Sequence, residues 1–236
     1  MQPLLKMPRT ERGRETLNKI LSAAAQVFYQ KGYSQSNVNE IAKLAGVATG
    51  TFYIYFDGKY GLYKYLLLQC SHQIRKHLAI AVQGCETRRE AERVGMKSWL
   101  EYLLSNQYVY NLIWESLYVD RKLFEEYYEN FARAYMAGID QAKATGEVRD
   151  VDSQVLAYVL IGAANFVGLK WGLFQDGTQD LDFIADEFMK LLEGGMFSQT
   201  PTPLPPPPVK EPPKEDALMF RVEVDDDFLD GVMDSE

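Results

Sequence analysis

Between Ser36 and Leu62 the chain reads SNVNEIAKLAGVATGTFYIYFDGKYGL, a stretch suited to contacting a surface rather than to making or breaking bonds. Ala48, Thr49, Gly50 and Thr51 are small, so a backbone carrying them can approach base edges, where the two hydroxyls donate or accept hydrogen bonds. Tyr53 and Tyr55 offer phenol hydroxyls to phosphate oxygens, and Lys59 adds a point charge one turn later. Reactive constellations are missing from the sequence. His72 and His77 are five apart and so not on one helical face, Cys70 and Cys85 have no neighbouring ligands, and neither a Gly-x-Ser-x-Gly elbow nor a phosphate-cradling glycine loop occurs. The expectation is a protein that is not an enzyme and carries no metal and no cofactor.

The elements needed to hold those residues are legible around them. Asn37-Val-Asn-Glu40 has the form of a capping box, so a short helix should run over about 38–45 with Val38, Ile41, Ala42 and Ala45 inward. Gly46 then marks a turn, and a second short helix should start near Ala48, with Phe52 and Phe56 four apart and packing behind it. Two helices joined by a tight glycine-containing turn define a helix-turn-helix, about residues 37–56, whose second helix enters a major groove by its N-terminal end. Upstream, Leu17, Ile20, Leu21, Ala24, Val27 and Phe28 recur with helical spacing, and Lys31-Gly32 supplies a stop, so a first helix is expected over roughly 13–31.

Charge is the property that most misleads when averaged. The 236 residues hold 25 Lys+Arg against 33 Asp+Glu, a net of −8, which taken alone argues against a polyanion partner. Residues 1–70, however, carry nine bases and four acids, whereas 71–198 carry 13 bases and 19 acids and 199–236 carry three bases and ten acids. A basic head on an acidic body fits a nucleic-acid-binding module joined to something else. Two cysteines give no disulfide framework, and MQPLLKMPRTERGRET has no apolar signal core, so a cytoplasmic, nucleoid-associated protein is expected.

The spacing Ala25-x-x-x-Phe-x-x-x-Gly-Tyr, followed by Val38-x-x-Ile41-Ala42-x-x-Ala45-Gly46-Val47-x-x-Gly50-Thr51-Phe52-Tyr53-x-Tyr55-Phe56-x-x-Lys59-x-x-Leu62, resembles the DNA-binding domain of the tetracycline-repressor (TetR) family. The likeness covers about residues 13–65. It departs from the pattern at Tyr55, where histidine is frequent, at Asp57-Gly58, where Pro-Ser is common, and at Gly61, where an acid is usual. The resemblance implies an all-α chain: a basic arm (1–12), a three-helix DNA-binding domain (13–65) and a larger helical bundle for ligand binding and dimerisation (66–197). On the matching positions, Ser36 and Asn37 would meet phosphate at the start of the second helix, Ala48, Thr49, Gly50 and Thr51 would face bases, and Tyr53, Tyr55 and Lys59 would clamp the backbone. It further implies a homodimer on a palindromic operator, built on the last two core helices through Val159, Gly162, Phe166, Ile184, Phe188 and Leu191.

Downstream of residue 65 the sequence is less specific. Leu123, Tyr127, Phe131, Tyr135 and Ile139 keep i, i+4 spacing up to Gly146, a helix should start near Asp152, and Leu181, Ile184, Phe188, Leu191 and Leu192 form a last one. Val155–Phe174 is long enough for a bilayer, but Asn165, Lys170 and three glycines interrupt it, so the expectation is a helix buried on most of its circumference inside a bundle or a subunit interface, with no membrane partner. Gly162, Gly168 and Gly172 would permit close helix approach at an interface. The aromatic run Trp99, Tyr102, Leu103, Ile113, Trp114, Leu117, Phe131, Tyr135 and Phe166 is the candidate lining of a ligand cavity, for an apolar or amphipathic effector such as a fatty acyl compound or a lipophilic cation. Eight of ten prolines fall in 201–213, so 198–236 reads as a Pro-rich linker and acidic, disordered tail open to a protein partner or to the basic head itself. The leading expectation is a ligand-released repressor. Two alternatives are a nucleoid or division factor without small-molecule control, and an interaction hub acting through the tail.

Overall fold

The computed structural model describes residues 5–174 and 179–194, and among them every regular element is a helix. Their order is α1 (Glu11–Gln35), α2 (Val38–Leu44), α3 (Thr49–Tyr55), α4 (Lys59–Ala81), α5 (Arg88–Ser105), α6 (Tyr108–Val119), α7 (Arg121–Ala144), α8 (Ser153–Gly168) and α9 (Leu181–Gly194). A widened turn of π type, Leu169–Leu173, continues α8. The 198–236 tail and the first four residues of the arm lie outside the described residues.

Short polar side chains start most of these helices. Thr10 accepts from Gly13 N–H, Asn37 from Glu40 N–H, Thr87 from Glu90 N–H, Asp120 from Lys122 and Leu123 N–H, and Asp152 from Val155 N–H. Each such cap is worth about 1 kcal/mol. The reciprocal arm of the expected capping box does not form: Glu40 Oε1 instead pairs with Lys31. After α2, Gly46 adopts φ +69°, its N–H donates to Lys43 O (3.1 Å), and Val47 N–H donates to Ala42 O (3.0 Å). That pair of bonds is a Schellman stop, and it needs a residue without a Cβ.

The three N-terminal helices bury Ile20, Ala24, Phe28, Ile41, Phe52 and Phe56 almost completely, with Leu62 and Tyr63 of α4 completing the same core. The first helix runs further than the sequence implies, because a break at Gly32 (φ +73°, ψ +169°) is followed by one more turn. Leu5 is buried and Lys6 N–H donates to Tyr55 O at 3.1 Å, so the described part of the basic arm lies back against the end of α3.

In the bundle, α8 and α9 both pack on α5. A Cβ at Gly168 would stand 2.6 Å from Leu103 Cδ1, 2.7 Å from Tyr110 Oη and 2.9 Å from Trp99 Nε1, and one at Gly172 would stand 3.0 Å from Leu103 Cβ. Those two glycines serve close packing within one chain rather than between chains, which corrects the sequence reading. Trp99 Nε1–H donates to Ala164 O (3.1 Å) and the Tyr110 hydroxyl to Asn165 O, fixing α8 against α5 and α6. Within one chain this apolar helix is buried on one side only, which leaves the other side for the subunit interface that the sequence reading also allowed. Only 28% of its most apolar window is buried, and Val155, Tyr158, Val159 and Phe166 form one exposed strip.

Candidate nucleic-acid interface and ligand cavity

The helix-turn-helix presents a small, smooth end. Ala48, Gly50, Tyr53 and Ile54 are exposed, Thr49 and Thr51 are half-buried, and no atom lies within 4 Å of where a Gly50 Cβ would stand. Space for a side chain at Gly50 is therefore open towards solvent, and Thr49 Oγ1 donates to Asn39 Oδ1 (3.1 Å), which locks α3 to α2. Asn37 is exposed, with its side chain committed to capping α2.

Two residues expected at a phosphate point elsewhere. Ser36 is 4% exposed and its hydroxyl donates to Tyr33 O at 2.6 Å; Tyr55 is 7% exposed and its hydroxyl donates to Gly13 O at 3.0 Å. Both close the head's own core, each hydroxyl adding a bond to a carbonyl of α1. Lys59 is half-buried: Nζ donates to Tyr33 O (2.5 Å) and Ser36 O (2.8 Å) and sits 4.2 Å over the Tyr33 ring. Burial holds its pKa below the usual lysine range. One of its three donors is left for a phosphate.

The head is tied to the bundle by α6. Glu115 accepts the Tyr33 N–H with both carboxylate oxygens, at 3.0 Å each, directly over Gly32. Tyr63 Oη donates to Leu112 O (2.6 Å), Tyr29 Oη to Gln107 Oε1 (3.0 Å), and Asn111 Nδ2 to Tyr29 O (3.1 Å). Desolvation raises the Glu115 pKa, against the opposing pull of the Tyr33 N–H and of Lys59.

Inside the bundle, α4, α5, α7, α8 and α9 line a half-open cavity of about 280 Å³. Trp99, Phe131 and Tyr135, expected in such a lining, are on its wall. Tyr102 packs on His77, Leu103 fills the α5–α8 contact and Ile113 is buried in the main core; none of these three, nor Leu117, lines the cavity. Trp114 and Phe166 face each other edge-on across a separate pocket of about 370 Å³, which opens on the exposed strip of α8 at Gly162 and Tyr158. Of the expected interface residues, Val159, Phe166 and Leu191 are exposed. Ile184 and Phe188 are not, Phe188 being a cavity wall.

The sequence reading missed Arg75, Arg88, Glu92 and Asn165, polar residues of that wall that stand beside the expected Tyr135. Arg88 donates from Nε to Glu92 Oε1 (2.6 Å), lies 4.6 Å over the Tyr135 ring, and fills the space a side chain at Gly138 would need. Tyr135 Oη donates to Glu92 Oε2, and burial raises the phenol pKa, so it remains a donor at neutral pH. An Arg-x-x-x-Glu spacing was the only sequence signal for this triad, and it equally describes a solvated helix face.

A glycine-turned helix pair with a small exposed N-terminal end, on a basic head set against an acidic bundle, defines a helix-turn-helix transcriptional regulator. Residues 20–66 match the family model "Bacterial regulatory proteins, tetR family". It is 22% identical to the fatty acid metabolism regulator protein of Bacillus subtilis over 77% of this chain and 95% of that one. It is also 33% identical to the regulator TtgR of Pseudomonas putida, over 42% of this chain and 45%, about half, of the relative. A structure of the transcriptional regulator FadR from Bacillus subtilis in complex with stearoyl-CoA shares the fold, with a TM-score of 0.65 and 21% identity over 77% of this chain and all of that one.

Proposed function

We propose that the protein is a homodimeric repressor that leaves a palindromic operator when a long-chain acyl compound occupies the α4–α9 cavity. One observation carries the reading: the helix that begins beside the DNA-binding head at Lys59 is the same helix, α4, that forms a cavity wall with Arg75, Leu78 and Ala79. An occupant that favours one position of α4 shifts the head with it, by as much as its preference between the two states. The wall is mainly aromatic and aliphatic, which suits an alkyl chain, and the relatives whose names refer to fatty acid metabolism and to bound stearoyl-CoA support that ligand class.

On the DNA side, Ala48, Thr49, Gly50 and Thr51 meet base edges, Tyr53 and the remaining Lys59 donor meet phosphates, and Asn37 orders the start of α2 beside them. On the protein side, Val155, Tyr158, Val159 and Phe166 of α8, with Phe183 and Leu191 of α9, pair with a second copy. Large exposed apolar residues in one strip mark such contacts. The protein acts in the cytoplasm, on the nucleoid. The test is selection of operator from a random duplex pool, followed by titration of the selected duplex with and without palmitoyl-CoA. Selection of a palindrome that palmitoyl-CoA releases supports the reading, and binding indifferent to sequence overturns it.

A further inference from the structure

Resting on the acyl-ligand reading and narrowing it, we propose that Arg75 receives the negatively charged end of the ligand, so that the cavity selects anionic aliphatic amphiphiles over neutral or cationic ones. Three charged side chains line the cavity, Arg75, Arg88 and Glu92. Arg88 and Glu92 neutralise each other at 2.5 Å, with the Tyr135 hydroxyl on the second Glu92 oxygen. Arg75 has no such partner. Its Nη1 donates to Ser71 Oγ at 2.5 Å, and among the described residues no carboxylate lies within ion-pairing distance of it. The wall therefore carries one uncompensated positive charge, the reverse of the acidic surplus of residues 71–198 as a whole.

A half-buried guanidinium beside apolar surface is only partly solvated, and its remaining donors are best satisfied by a carboxylate or phosphate oxygen. The neighbouring polar groups accommodate the rest of such a head group without competing for it. Tyr127 and Tyr128 remain protonated, burial pushing the Tyr128 phenol up to about 12, and Asn165 supplies an amide. Arg75 belongs to α4, so the contact that reads the charge also loads the helix leading to the DNA-binding head. A lipophilic cation would face an unpaired arginine, whereas Glu92 is already held by two donors.

The experiment is calorimetric titration of the full chain with palmitate, palmitoyl-CoA, hexadecanol and hexadecyltrimethylammonium, each below its micellar concentration, for the unmodified protein, Arg75→Gln and Arg75→Lys. The expected result is an anionic ligand bound about tenfold or more tighter than hexadecanol, as one charged hydrogen-bonded contact implies. Arg75→Gln should abolish that preference while leaving hexadecanol affinity within about threefold, and Arg75→Lys should restore part of it. Loss confined to palmitate identifies the carboxylate as the group held, and loss confined to palmitoyl-CoA identifies a phosphate. Equal affinity for charged and neutral chains in the unmodified protein, or equal loss of both in Arg75→Gln, overturns the role of Arg75 and leaves the acyl reading standing. Failure of every amphiphile to bind overturns both.

Discussion

Both carboxylate oxygens of Glu115 lie 3.0 Å from the backbone nitrogen of Tyr33, so a side chain of the ligand-binding bundle closes the end of the first helix of the DNA-binding head. The same carboxylate covers Gly32, whose φ of +73° and ψ of +169° only glycine adopts at little cost. Head and bundle are coupled in part through this half-buried carboxylate, and this has a consequence for pH. A folded-state pKa raised above the unfolded value of 4.5 means that the Glu115 contribution to stability is fully present below 4.5 and is lost as pH rises through the folded value.

Replacing the carboxyl by the amide should expose that dependence. Relative to Glu115→Gln, the unmodified protein should gain thermal stability as pH falls from 6.5 towards 4.5, measured by paired melting curves that cancel all other titrating groups. A difference that instead grows with rising pH would contradict the assignment of burial as the dominant influence on Glu115.

Gly32 and Gly50 should behave in opposite ways. Gly32→Ala meets a left-handed φ and an overlap with Glu115 Oε1, and should cost about 1–3 kcal/mol of stability. Gly50→Ala adds a Cβ in open space on a helix, where alanine is preferred, so the melting temperature should hold or rise slightly. Operator affinity should nevertheless fall about tenfold, since the proposed docking brings base edges to that Cβ. Anisotropy titration beside calorimetric melting separates the two effects.

The tyrosines divide similarly. Tyr55→Phe removes the part-buried bond from the Tyr55 hydroxyl to Gly13 O and should destabilise the head by about 1 kcal/mol, while Tyr53→Phe should leave stability unchanged and weaken operator binding. A stability loss at Tyr53 matching that at Tyr55 would contradict this division, which chemical denaturation of both variants measures directly.

What the sequence disclosed and what it withheld follow from the range of the forces involved. The Asn37 cap, the Gly46 stop, and the inward Phe52 and Phe56 depend on neighbours within a few residues, so spacing alone revealed them. Tyr55 turns inward because Gly13 O, 42 residues away and brought near by chain folding, accepts its hydroxyl, whereas Ser36 turns inward on a local bond to Tyr33 O, three residues back, that the family pattern did not suggest. Periodicity named the apolar face of each helix in the bundle but not which faces meet. Hence Phe188 was expected between subunits and is found on a cavity wall, and the Arg88–Glu92–Tyr135 group was invisible until α5 and α7 were brought together.

The exposed strip of α8 offers a further check. Phe166→Glu changes a side chain that is 65% exposed, so the protomer should remain folded, yet it should shift sedimentation from a dimer to a monomer and weaken operator binding. A dimer that survives this substitution together with Val159→Glu would place the subunit contact on another surface.

The claim that a filled cavity releases DNA is tested most directly by titrating the protein–operator complex with palmitoyl-CoA while following operator anisotropy, with ligand occupancy measured in parallel by thermal shift. The account predicts that operator affinity falls about tenfold or more as occupancy rises to one ligand per protomer, the size of an ordinary coupling free energy. Saturation of the cavity with operator affinity unchanged would contradict it.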